Sequence, residues 1–156
     1  MKTLIVYYSK TGNTKYVAQK IAEQLNGELS EISDKKNRKG KLNFVKSGYE
    51  SIRKKLTEIE VNKKIDDYDF VIVGSPVWAG KIPPATRTFL VKNDFNNKKI
   101  AFFVTIGGDK PAKALEAMKE IIFPQNPISE LAITEALKNL EEINNKISVW
   151  CNELAL

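Results

Sequence analysis

The sequence predicts an α/β protein, with an open parallel sheet covered by helices on both faces. Three observations carry that expectation. Leu4 to Tyr8, Phe70 to Val73 and Ile100 to Ile106 are short, β-rich and almost continuously apolar, as strands buried on both faces are. Apolar repeats at helical spacing lie between and after them. A length of 156 residues suits one compact domain, residues 1–156, and 42 % hydrophobic residues can build its core.

The elements follow in order. The strand Leu4 to Tyr8 leads into a helix in which Val17, Ile21 and Leu25 recur every four residues, with Ala18 and Ala22 beside them, and Asn26-Gly27 supplies the stop. Glu28 to Ser33 reads as a weaker second strand. Residues 34–65 form a Lys-rich, partly helical insertion: Tyr49, Ile52, Leu56 and Ile59 sit at helical spacing, and Lys35 to Lys41 read as an exposed loop. After the third strand, Phe70 to Val73, Pro83-Pro84 opens a short helix that buries Phe89 and Leu90. The fourth strand, Ile100 to Ile106, precedes a helix marked by Leu115, Met118 and Ile122 between Pro111 and Pro124. Ile128 to Ile133 is a short fifth strand, and Leu140, Ile143, Ile147 and Trp150 mark the last helix. Right-handed crossovers restrict the topology of such a chain, and its ligands bind beyond the carboxyl ends of the strands.

Composition narrows the chemistry. With no histidine there is no Ser-His-Asp or Cys-His unit and no imidazole metal site, and the single Cys151 cannot form an internal disulfide or a CxxC pair. Carboxylates, hydroxyls, lysines, backbone groups or a borrowed cofactor must do the work. The net charge of +6 is local: residues 34–65 hold eleven Lys and Arg against four acids, and the remainder is close to neutral. No stretch approaches the roughly 20 apolar residues of a membrane helix, and the first residues do not read as a signal peptide. A soluble, cytoplasmic protein away from membranes is the expectation.

Three segments at the carboxyl ends of strands one, three and four carry the site. Ser9-Lys10-Thr11-Gly12-Asn13-Thr14 offers three hydroxyls, a glycine and backbone N–H groups at a helix start, a neutral cradle for a phosphate. It lacks both the Walker ending and GxGxxG, and a polar turn with a Ser/Thr helix cap is the plainer reading. Gly74-Ser75-Pro76-Val77-Trp78-Ala79-Gly80 places Trp78 in a loop, suited to a stacked planar ring or to folding back over the core. Thr105-Ile106-Gly107-Gly108-Asp109 leaves backbone N–H groups accessible or is a plain glycine turn. Together these segments resemble flavodoxin-like proteins: the first looks like the flavodoxin phosphate loop, the second like the first loop flanking the flavin. The element order fits from end to end, with residues 34–65 outside the common core.

The resemblance implies a three-layer flavodoxin-like sandwich with a five-stranded parallel sheet in the order 2-1-3-4-5 and non-covalent FMN. Ser9, Thr11 and Thr14 with the N–H groups of residues 10–14, including Lys10, Gly12 and Asn13, would hold the phosphate. Trp78 would pack along the isoalloxazine, and backbone of Pro76, Val77, Ala79 and Gly80 and of Ile106, Gly107, Gly108 and Asp109 would reach its edges. Gly80 is the residue suited to a peptide reorientation beside flavin N5. The sequence departs from the family in having no aromatic after the fourth strand, which implies a flavin sandwiched on one side only unless Phe44 or Tyr49 of the insertion covers it, and in placing Lys81 and Lys110 beside the two loops. The leading role is electron transfer with a redox partner protein, and the basic insertion could dock an acidic one. The alternatives are an FMN-dependent oxidoreductase passing electrons from NAD(P)H to a quinone-like acceptor, and nucleic-acid or anionic-surface binding through the insertion. A charge run is usually a solvated face, which weighs against the last. A phospho-acceptor receiver domain needs carboxylates after the first strand, and Tyr8-Ser9-Lys10 has none.

Overall fold

The structure, a computed structural model, describes residues 1–35, 56–108 and 111–155. In chain order the elements are β1 (Thr3–Tyr7), α1 (Asn13–Leu25), β2 (Glu28–Glu31), β3 (Ser33–Asp34), β4 (Ile59–Glu60), a 3-10 turn (Ile65–Asp67), β5 (Phe70–Pro76), α2 (Pro84–Lys92), β6 (Lys99–Ile106), α3 (Ala112–Ile122), β7 (Ser129–Thr134) and α4 (Leu140–Leu154). The main sheet runs β2-β1-β5-β6-β7 with every pair parallel, which is the expected order 2-1-3-4-5 for its five strands. The chain order reverses at β1 beside β5, the switch point where doubly wound sheets open a crevice.

The continuous apolar runs arise because successive side chains enter opposite faces of the sheet. Phe102 packs with Val71, Val73, Phe89 and Met118 on one face, and Phe103 packs with Ile5, Ile21, Ile147 and Trp150 on the other. Gly74 is required by this packing. A Cβ there would lie 2.0 Å from the Phe103 ring, so the ring occupies the space a side chain would need. At the end of α1, Asn26 takes φ 48° and the Gly27 N–H bonds the Ala22 carbonyl at 3.0 Å, the stop that Asn26-Gly27 predicts.

Register then gathers the loops. Tyr7 pairs with Gly74, Pro76 with Thr105, and Ile106 with Thr134, so the carboxyl ends of β1, β5 and β6 finish along one edge.

The insertion departs from expectation in its described part. Ile59 belongs to a strand and not to the helix its spacing with Leu56 suggested; it pairs antiparallel with Asp34, and Leu56 lies exposed outside any helix. Thr57, Ile59, Val61, Lys63 and Ile65 alternate with more exposed neighbours, a period of two that spacing by threes and fours overlooks. Tyr49 and Ile52 of the same expected stripe, the basic residues 36–41 and Phe44 lie outside the described residues.

Candidate cofactor site

The loop after β1 is built around its own amides. Gly12 holds φ 95°, a conformation side chains disfavour, and its carbonyl accepts the Tyr16 N–H at 2.9 Å to begin α1. Ser9 Oγ accepts the N–H groups of Gly12 and Lys15, each at 3.2 Å. With its lone pairs engaged, that hydroxyl retains one proton to donate, which suits an anion. The plainer expectation of a hydroxyl cap is thus met by Ser9, three residues before the Gly12 N-cap, and Gly12 itself has no side chain to offer. The first amides of a helix lack intrahelical partners, so the Asn13 and Thr14 N–H groups are available to a ligand. Lys10 Nζ lies 5.3 Å from the Trp78 ring centroid, in cation–π range.

Between the next two loops an open cleft of about 610 Å³ is lined by Val77, Ala79, Gly80 and Lys81 on one side and Ile106, Gly107, Gly108 and Lys113 on the other. The first wall is a closed two-residue turn: the Trp78 N–H bonds the Lys81 carbonyl at 2.8 Å, and the Lys81 N–H returns to the Trp78 carbonyl at 2.9 Å. Its central residues, Ala79 and Gly80, take φ 48° and 72°, both positive as a type I′ turn requires. The walls are tied together where the Val77 N–H bonds the Thr105 carbonyl at 2.9 Å.

Among the described residues the glycines fall into two groups. Gly27 and Gly74 face packed side chains, whereas a Cβ on Gly12, Gly80, Gly107 or Gly108 would meet nothing within 4 Å. The loop glycines therefore border open space that side chains do not fill.

The structure places six of the expected site residues, Val77, Ala79, Gly80, Ile106, Gly107 and Gly108, around one cleft. Trp78 is elsewhere. It is 7 % exposed, packed into the core and edge-on to Tyr8 at 5.6 Å between centroids, the fold-back geometry that was its plainer reading. Pro76 ends β5, and the Thr105 side chain is buried and does not line the cleft. Asp109 and Lys110 lie outside the described residues. Lys113 is a wall residue that sequence reasoning missed. Its signal was position: Pro111 opens α3, so Lys113 falls in the first turn, where the helix dipole disfavours a cation. No group of His, Cys, Asp and Glu among the described residues could hold a metal, and no described helix is long and apolar enough to cross a membrane.

An amide-rich cradle one strand away from a glycine-walled slot suits a ligand with a phosphate at one end and a flat ring at the other. Doubly wound proteins that bind phosphorylated planar cofactors are the class this fold and site define. Within that class the chain belongs to the flavodoxin family, whose model matches residues 2–153. It is 30 % identical over 132 residues to the flavodoxin-like domain-containing protein BilS of Clostridioides difficile, covering 82 % of this chain and 62 % of that one. The chain thus spans about three fifths of that curated relative's length. Among solved structures, a flavoprotein in complex with FMN from Lactobacillus acidophilus is 28 % identical with a TM-score of 0.74, over 84 % of this chain and 92 % of that one. A flavoprotein from Bacteroides uniformis shares the fold at a TM-score of 0.83 and 23 % identity, over 97 % of both chains.

Proposed function

We propose that this chain binds FMN at the carboxyl ends of β1, β5 and β6 and serves as an electron carrier between protein partners. Family membership supports FMN as the cofactor, and the observation that carries the assignment to these residues is the set of loop glycines bordering open space. Bound FMN supplies one- and two-electron transfer. The protein's part is to hold and bias it. The Ser9 and Thr11 hydroxyls, together with the free amides at the start of α1, hold the phosphate without a countercharge. Backbone of the Ala79-Gly80 turn and of Gly107-Gly108 approaches the ring closely because those glycines carry no side chain. Lys81 and Lys113 on the cleft walls favour whichever state of the ring carries more negative charge.

The partner this reading implies has an acidic docking face, because residues 34–65 carry a net +7 beside a nearly neutral remainder. The absorption spectrum of the purified protein and the mass of its released flavin test the central claim. A colourless protein that also takes up no added FMN would sink it.

A second reading, an FMN-dependent oxidoreductase, is favoured by the open cleft, since Ile106, Gly107 and Gly108 bring no aromatic ring to cover it. Turnover of NAD(P)H with a quinone separates the two. The enzyme sustains it alone, and the carrier needs a flavoprotein reductase.

A further inference from the structure

We infer that Thr105, a β6 residue outside the phosphate loop, is a positioning residue for the phosphate end of the ligand and sets the preference for a phosphorylated over an unphosphorylated flavin. The inference rests on the FMN reading above and assigns a role that reading does not contain.

The Oγ1 atoms of Thr14 and Thr105 lie 2.7 Å apart although 91 residues separate them in the chain. Thr14 is 1 % exposed and Thr105 4 % exposed, so the pair is largely shielded from bulk water. Two touching hydroxyls carry two protons, and only one of them can lie between the oxygens. Among the described residues no acceptor is bonded to the second. A buried hydroxyl proton without an acceptor is costly, and most such groups in proteins are matched. The acceptor that would match it is an anionic oxygen arriving at the first turn of α1, beside the free Thr14 amide.

Thr105 also decides where the Thr14 hydroxyl points. A threonine in a helix has two accessible χ1 wells, one of which turns the hydroxyl back onto preceding carbonyls. The bond to Thr105 holds it across the α1–β6 junction instead. The Thr105 carbonyl meanwhile accepts the Val77 N–H, so the same residue braces a wall of the ring cleft through its backbone. Thr105→Val removes the hydroxyl, keeps the shape and retains the backbone bond, which separates the two contributions.

The test is the dissociation constants of FMN and of riboflavin, read by fluorescence quenching in the full-length protein. Wild type should prefer FMN. Thr105→Val should lower the FMN-to-riboflavin preference about tenfold, the worth of a hydrogen bond to a charged acceptor, with riboflavin changed less than about twofold. Thr105→Ser, which restores the hydroxyl, should return the preference to within about twofold of wild type. A preference unchanged in Thr105→Val overturns the inference and leaves the FMN reading standing. Wild type that binds neither flavin overturns both together, whereas wild type that binds both equally overturns the inference and the phosphate role of the loop after β1 but leaves flavin binding standing. If the valine variant does not fold, Thr105→Ala with inorganic phosphate as the probe decides: phosphate should raise the wild-type Tm and raise that of the variant less, and equal shifts count against the role.

Discussion

At Ala79 the backbone takes φ 48° and at Gly80 it takes φ 72°, yet only the second residue is free of a side-chain penalty. A left-handed conformation costs an L-residue about 1–2 kcal/mol, while glycine costs roughly 0.5–1 kcal/mol in chain entropy. Ala79→Gly should therefore stabilise the protein by up to about 1 kcal/mol in urea unfolding, and Gly80→Ala should destabilise it by a similar net amount, about 1 kcal/mol. Opposite signs are expected, and a loss from both substitutions would mean that the turn is not strained as described. Lys81 and Lys113 make a second prediction at this scale. A unit charge roughly 6 Å from the ring in a water-like dielectric is worth about 0.7 kcal/mol, or roughly 30 mV for one electron. Lys81→Ala and Lys113→Ala should each make the potential of bound FMN more negative by about that amount, less at high salt. Spectroelectrochemistry checks this, and potentials unmoved in both variants remove the electrostatic account.

At the scale of elements, the contact between β5 and β6 depends on the absent side chain of Gly74. Its Cβ would meet three atoms of the Phe103 ring at 2.0, 2.4 and 2.7 Å, and neither central strand can easily retreat. Gly74→Ala should cost about 1–3 kcal/mol, as overpacking does, and Phe103→Leu in the same chain should recover part of it. Another element-scale device lies at the sheet edge, where Glu28 on β2 accepts from Lys63 Nζ at 2.7 Å and from the Tyr68 hydroxyl at 2.9 Å. Those bonds hold the Glu28 carboxyl at about 2, below its ordinary 4.5. The stabilisation is present in full above the ordinary value and is lost as the pH falls from about 4.5 toward about 2. Glu28→Gln should therefore weaken the protein at pH 7 and hardly change it at the acid end of that window. An equal loss at both ends would mean that the charge is not what Lys63 and Tyr68 hold.

Over the whole molecule, a ligand that binds only the folded chain raises its stability by mass action. Saturating FMN should raise Tm in a concentration-dependent way, and riboflavin should do so less, because it leaves the amides of α1 unmatched. An identical rise with both would separate the loop after β1 from phosphate recognition. The parts of this architecture that could be read in advance were those with local causes. The apolar runs of β1, β5 and β6, the four-residue stripe of α1 and its Asn26-Gly27 stop each express a preference of a short segment. At Ile59 the helical spacing of 49, 52, 56 and 59 competes with the alternation of 57–65, and pairing with Asp34 arbitrates between the periods.

The sequence by itself determined the alternation of the five main-sheet strands with their helices, the absence of histidine chemistry and the three loops of the candidate site. These follow from periodicity, composition and glycine placement, which are properties of neighbours in the chain. Only the tertiary structure decided that Trp78 turns inward against Tyr8, that Lys113 reaches the cleft, and that Thr105 meets Thr14. Each of those is a contact between segments far apart in the chain. Parallel register and side-chain packing select it, and no local preference encodes it.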